Sequence, residues 1–201
     1  STHFHDAGRP DIGQIAAVAW AGGKPNAPYT LDDMADDAVG LLDHLKIDRA
    51  HLVGVSMGGM IAQTIALNRP ERVLSLTSIM STTGEIHLPG PTPEAAAVLV
   101  TPYPSREDRE AFIAHGLKVW RTIGSPAFPS EEEAIIERVV GDAERAYDPA
   151  GFTRQLAAIY ASGARAERLR GLNIPTVVVH GDQDPLVPVE GGRATAADRK
   201  S

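Results

Sequence analysis

A serine in a glycine-rich turn is the residue of this chain best suited to covalent chemistry. Ser56 lies in the pattern Gly-x-Ser-x-Gly at residues 54–58, and a third glycine, Gly59, follows directly. The apolar residues 52–53 precede the pattern, and a helix-like run, 60–67, follows it. A serine on such a sharp strand-to-helix turn presents its hydroxyl outward, and the backbone N–H of the next residue faces the same space. Glycines suit such a turn because it is strained and closely packed. Together, the exposed hydroxyl and the glycine pattern predict Ser56 as a nucleophile for acyl transfer.

A serine nucleophile needs a base, usually a histidine that a buried carboxylate orients. With a nucleophile on this kind of turn, the order along the chain is serine, acid, histidine. Asp182 and Asp184 both follow the predicted strand 175–180, and either can supply the acid because parallel sheets place their sites at the carboxyl ends of strands. The histidines of the chain all precede Asp184: His3, His5, His44, His51, His87, His115 and His180. We therefore expect the catalytic base to lie outside these 201 residues.

The elements that must position Ser56 alternate between helix and strand. Thr30 begins a helix, and short apolar strands are predicted at 50–55, 73–80 and 175–180. A helix between consecutive strands predicts a parallel sheet with right-handed crossovers.

The segment between the second and third predicted strands has a different pattern. Prolines separate helical runs there, and no stretch reads as a strand. We interpret this segment as a helical insertion. The predicted organisation is a partial core at 1–84, a helical cap or lid at 85–170, and a second partial core at 171–201.

With these features in place, the chain resembles the α/β-hydrolase fold. More narrowly, it resembles the serine esterases related to anthracycline (aclacinomycin) methylesterase. The narrower resemblance is carried by 78–84 and 120–126, while the serine pattern, known there as the nucleophile elbow, and the acid loop are shared more widely. The segments that carry the whole resemblance are 29–34, 54–63, 78–84, 120–126 and 180–188.

The resemblance implies a role for particular residues. Ser56 matches the nucleophile, the backbone N–H of Met57 matches half of the oxyanion hole, and Asp184 rather than Asp182 matches the triad acid. The family also has an earlier oxyanion loop and a later Gly-x-x-His segment, and this chain matches neither. The resemblance therefore implies an internal fragment of a longer enzyme, and we expect the fragment alone to be inactive.

The function expected from the resemblance is hydrolysis of a small hydrophobic ester through an acyl-enzyme, with no metal or organic cofactor. Trp120, Phe112 and Phe128 are candidates to line the substrate pocket beneath the lid. Other reactions that use the same triad stay open, including cofactor-free haloperoxidase and lactonase activity. A protein that keeps the fold without catalysis is a further alternative, since the triad histidine is not among these residues.

Composition excludes several other classes of function. The formal net charge is −7 and no basic cluster occurs, so the chain is not expected to bind nucleic acid. No apolar run approaches the ~20 residues that a membrane-spanning helix needs. Cysteine is absent, which excludes disulfides and thiolate metal sites and fits a cytoplasmic location.

Overall fold

Three parallel strands form the sheet of the computed structural model, which describes residues 7–197. The strands lie side by side in chain order, and both neighbouring pairs are parallel. Leu52 and Leu76 are partners in the first pair. This sheet confirms the α/β class predicted from the sequence. The strands are β1 (Ala50–Val55), β2 (Val73–Ile79) and β3 (Thr176–Val179).

Helices connect the strands, and the described segment between β2 and β3 contains five helices and no strand. The helix predicted to begin at Thr30 and the helical run predicted at 60–67 are confirmed, whereas the helices at 93–100 and 166–170 were not predicted. The α-helices of the described residues are α1 (Ile12–Trp20), α2 (Leu31–His44), α3 (Met57–Asn68), α4 (Pro93–Val100), α5 (Arg109–Ile123), α6 (Glu132–Arg145), α7 (Gly151–Ser162), α8 (Ala166–Arg170) and α9 (Val189–Ala196).

The hydrophobic core covers one face of the sheet. Ala35 and Val39 of α2 pack with Ile65 of α3 and Leu76 of β2, and all four are buried. The apolar residues of α2 recur at helical spacing, so they form one stripe that is removed from water against the sheet. This packing holds α3, whose N-terminus follows Ser56, against the strands on either side of it.

Side chains on the opposite face of the sheet are exposed. Val53 of β1 and Val177 of β3 both flank Thr77 of β2 in the register, and their exposed fractions are 67% and 56%. The described core therefore supports the sheet from the side of α2 and α3.

The described residues divide into two compact units. The first contains 7–89, 150–180 and 189–197, and therefore the whole sheet. The second contains 90–149 and 181–188, which include α4, α5, α6 and the loop that follows β3. The cap boundaries inferred from the sequence remain a prediction. No helix of residues 7–197 has the length and apolar character needed to cross a membrane.

Candidate active site

Ser56 occupies a strained turn between β1 and α3. Its backbone angles are φ 53° and ψ −120°, a combination that non-glycine residues rarely adopt. Such a conformation costs about 1–3 kcal/mol and persists only where the surroundings enforce it. Here the Ser56 N–H donates a hydrogen bond of 2.9 Å to the carbonyl oxygen of Ile79, the last residue of β2. The neighbouring strand therefore helps to hold the serine in this conformation.

Two of the three glycines around Ser56 are required by close packing. A Cβ atom on Gly54 would lie 2.2 Å from the carbonyl oxygen of Gly58, and one on Gly59 would lie 2.6 Å from the Cβ of Ser81. A Cβ on Gly58 would meet nothing within 4 Å. The expectation that all these glycines are needed for lack of space is therefore wrong at Gly58, because a side chain at this residue would point into open space.

We expect Gly54→Ala to lower the free energy of unfolding by roughly 3 kcal/mol, since the new methyl group meets backbone atoms that cannot rotate away. Gly58→Ala is the matched control in the same turn. It should change stability by about 1 kcal/mol at most, and in the stabilising direction, because alanine favours a helix more than glycine does. Urea unfolding of the two variants measures the difference. Equal midpoints would show that the turn relaxes around a side chain at residue 54.

The N-terminus of α3 presents backbone donors next to Ser56. The N–H groups of Gly59 and Met60 donate to the carbonyl oxygen of Ser56, at 2.9 and 3.3 Å. The first N–H groups of a helix have no partner within it, and the helix dipole makes this end favourable for negative charge. Met57 is the first residue of α3, so its N–H is among those that have no partner within the helix. Its role remains a prediction.

The loop that leaves β3 holds the carboxylate of Asp184 in a defined orientation. Its Oδ1 atom accepts hydrogen bonds from the backbone N–H groups of Leu186 and Val187, both at 2.9 Å. The residue is half-buried, whereas Asp182 is exposed. A carboxylate bonded to the backbone two and three residues ahead loses little further freedom when it binds a partner. Asp184 is therefore better prepared than Asp182 to orient a histidine, and its catalytic role remains a prediction.

Two histidines of the first unit, His51 and His180, have local structural environments. The Nδ1 atom of His51 lies 2.7 Å from the Ser75 hydroxyl, at the start of the sheet. His180 packs closely on α9, since a Cβ on Gly192 would lie 2.6 Å from its Nδ1 atom. His3 and His5 lie outside the described residues.

His115 belongs to an aromatic cluster of the second unit. Its ring centroid lies 4.3 Å from that of Tyr103, which also contacts Phe112 at 5.0 Å. Burial, with a smaller contribution from Lys118, lowers the pKa of His115. The ring is therefore held in its neutral form to lower pH than an ordinary histidine.

The structure brings together two of the three aromatic residues that the sequence assigns to a substrate pocket. Phe112 and Trp120 belong to one apolar cluster of α5 and α6, which includes Val139. The guanidinium carbon of Arg138 lies 4.8 Å from the centroid of the Trp120 ring. Phe128 lies outside this cluster and is 83% exposed. A pocket role for these side chains remains a prediction.

Sequence reasoning missed a group of buried polar residues behind the elbow. Gln63 and Arg165 are almost inaccessible to solvent and are hydrogen-bonded to each other. The signal at Gln63 was a polar residue inside the apolar run of α3, whereas nothing near Arg165 marks it as buried. Among residues 7–197, no group of three or more histidine, aspartate or glutamate side chains is arranged to hold a metal ion.

Comparison with known proteins establishes the family. Residues 16–201 match the alpha/beta hydrolase fold family, and the chain belongs to it. It is 30% identical to 3-oxoadipate enol-lactonase 2 of Acinetobacter baylyi over 86% of this chain and 61% of that protein. It is 45% identical to a rhodomycin D methylesterase of a Streptomyces species, over 26% of this chain and 18% of that protein.

Solved structures share the fold. The meta-cleavage product hydrolase of Pseudomonas fluorescens matches with a TM-score of 0.65 and 21% identity, over 87% of this chain and 62% of that one. The chain thus spans about three fifths of the length of the relatives that it matches over most of its own length. These findings confirm the predicted α/β-hydrolase fold.

Proposed function

We propose that the intact protein hydrolyses carboxylic esters through an acyl-enzyme on Ser56. The observation that carries this proposal is the strained Ser56 conformation at the N-terminus of α3. The Ser56 oxygen attacks the ester carbonyl carbon, the bond from that carbon to the alcohol oxygen breaks, and the alcohol leaves with a proton. Water then attacks the acyl carbon, which releases the carboxylic acid and restores the serine hydroxyl.

Each step assigns a task to a particular group. The histidine base of the intact protein takes the serine proton and later delivers it to the leaving alcohol. Asp184 orients that imidazole and stabilises its charged form. The Met57 N–H is one of the donors to the tetrahedral oxyanion, and losing one such donor typically costs about 10²–10³ in rate.

Relatives that act on related bonds support the substrate class. One is named as an enol-lactonase and another as a methylesterase. A lactone is a cyclic ester, so one acyl-transfer site accommodates both chemistries. We propose a small hydrophobic ester or lactone as substrate, with Phe112, Trp120 and Phe128 contributing apolar surface to its binding.

The experiment that tests this function uses the natural full-length protein and p-nitrophenyl acetate. We expect a burst of p-nitrophenol that matches the enzyme concentration, followed by slower turnover, with the acetyl group recovered on the peptide that contains Ser56. Parallel assays with methyl esters and aliphatic lactones rank the substrate class. An acyl group on another residue, or no covalent adduct in a folded protein, would overturn the proposal and favour a non-catalytic member of the fold.

A further inference from the structure

A buried arginine lies behind the elbow and has no part in the proposed chemistry. Arg165 is 4% exposed and directly precedes α8. Its three guanidinium nitrogens each donate to a different acceptor: Nε to Gln63 Oε1 at 3.2 Å, Nη1 to the Gly163 carbonyl at 3.1 Å, and Nη2 to the Thr82 carbonyl at 3.0 Å. These acceptors belong to α3, to the turn after α7 and to the segment after β2. One side chain therefore joins three elements of the first unit.

The charge of Arg165 has a compensating partner. Burial lowers the pKa of Arg165 to about 10, and the carboxylates of Glu85 and Asp32 oppose this shift. Glu85 is itself held by the N–H of Ala166 at 2.8 Å and by the Thr83 hydroxyl. Arg165 thus stays protonated at neutral pH. A buried charge is costly unless hydrogen bonds satisfy it, so the three acceptors named above hold the guanidinium in one place.

The bond to Gln63 leads directly to the elbow. Gln63 is fully buried on α3, about two helical turns after Ser56. Its Nε2 atom donates to the Ser78 hydroxyl at 3.3 Å, and Ser78 is the register partner of Gly54. Arg165, Gln63 and Ser78 therefore connect the start of α8 to the strand beside the strained turn.

The bond to Thr82 holds the other side of the elbow. Thr82 follows Ser81, whose Cβ is the atom that a side chain on Gly59 would meet at 2.6 Å. The position of Ser81 therefore limits how closely the first turn of α3 approaches the segment that follows β2. The Arg165 guanidinium therefore bonds both to α3, at Gln63, and to the segment after β2, at Thr82.

We propose that Arg165 is a positioning residue for Ser56, holding α3 and the segment 81–84 in the one arrangement that aligns the serine hydroxyl and the Met57 N–H with a bound acyl group. This proposal rests on the function proposed above. A displacement of about 1 Å in a catalytic group can cost on the order of 100-fold in rate. The loss should appear in kcat, since Arg165 acts on the elbow through Gln63 and Thr82 and is not assigned to the substrate-binding surface.

The variant Arg165→Lys tests the geometry of the guanidinium while keeping its charge. A lysine ammonium is a single point on a flexible stem and cannot reproduce three donors in a rigid plane. The matched control is Arg154→Lys. Arg154 is also a buried arginine of the first unit, 3% exposed on α7, and its Nη1 atom donates to the Gly8 carbonyl ahead of α1.

The measurements use the full-length protein: kcat and KM for p-nitrophenyl acetate, the rate at which a fluorophosphonate labels Ser56, and the thermal midpoint. We expect Arg165→Lys to lower kcat and the labelling rate about 100-fold with KM within about twofold. Arg154→Lys should lower the thermal midpoint about as much as Arg165→Lys does, but it should keep the wild-type kcat. Gln63→Met, which leaves Arg165 in place, should lower kcat about tenfold and combine non-additively with Arg165→Lys.

The outcomes separate the positioning role from the proposed function. Absence of labelling at Ser56 in the wild-type protein overturns the proposed function itself. With the wild type labelled, a folded Arg165→Lys that keeps kcat within about threefold overturns the positioning role, as does an equal loss in Arg154→Lys. If Arg165→Lys does not fold, the Gln63→Met variant tests the positioning role instead. A folded Gln63→Met protein with the wild-type kcat overturns that role.

Discussion

Replacement of Ser56 by alanine in the full-length protein should lower kcat for p-nitrophenyl acetate on the order of 10⁶-fold. The reason is that the alanine variant loses the atom that forms the acyl-enzyme, whereas the oxyanion donors and the binding surface stay in place. The residual rate should still exceed that of water, since those donors contribute independently of the nucleophile. Initial rates at saturating substrate measure the loss, and the burst should vanish completely.

Ser75→Ala is the matched control for this change. Ser75 lies near the opposite end of β2 from the elbow and contacts His51. In the Ser75→Ala variant, the burst amplitude and kcat should both stay within about twofold of the wild-type values. The reason is that a surface hydrogen bond of this kind contributes to stability only weakly. A Ser56→Ala protein that keeps its burst would place the nucleophile elsewhere.

Asp184→Asn should lower kcat about 10⁴-fold. The amide oxygen can still accept from the Leu186 and Val187 N–H groups, so the loop keeps its conformation. The negative charge that stabilises the imidazolium is lost, and the amide also favours the wrong tautomer of the histidine. The measurement is kcat across a range of pH, because the apparent pKa of the base should fall along with the rate.

The control for this variant is Asp182→Asn in the same loop. Asp182 is exposed, and its charge is solvated, so kcat should stay within about threefold. The pair of variants decides between the two carboxylates that spacing alone leaves open. A large loss in Asp182→Asn with little effect at Asp184 would reverse the assignment.

Local signals explain why much of the fold was predictable. The apolar strand at 50–55, the glycine pattern and the helix after it are neighbours in the chain, and each is specified by side-chain period or backbone freedom. Thr30 begins a helix as predicted, and it forms a capping box in which the Asp33 carboxylate accepts from the Thr30 N–H at 2.7 Å. The candidate nucleophile and the two candidate acids were visible for the same reason.

Two helices escaped prediction because their signals are weak. The segment of α4 is a run of alanine, valine and leucine after Pro93 and Glu94, with no polar stripe to show a helical period. The helix α8 has five residues, too few to form without tertiary support. That support includes the Arg165 N–H, which donates to the Thr83 carbonyl at 2.8 Å.

Sequence alone determined the chemical groups at the elbow and in the acid loop, since both depend on residues a few positions apart. Tertiary structure decided which glycines lack space and which polar side chains lie behind the nucleophile. Arg165 and Gln63 are separated by 102 positions, and neither residue type indicates the other as its partner. Their contact exists because packing of α3 on the sheet and the return of the chain after α7 bring them together, and only then does burial make their hydrogen bonds obligatory.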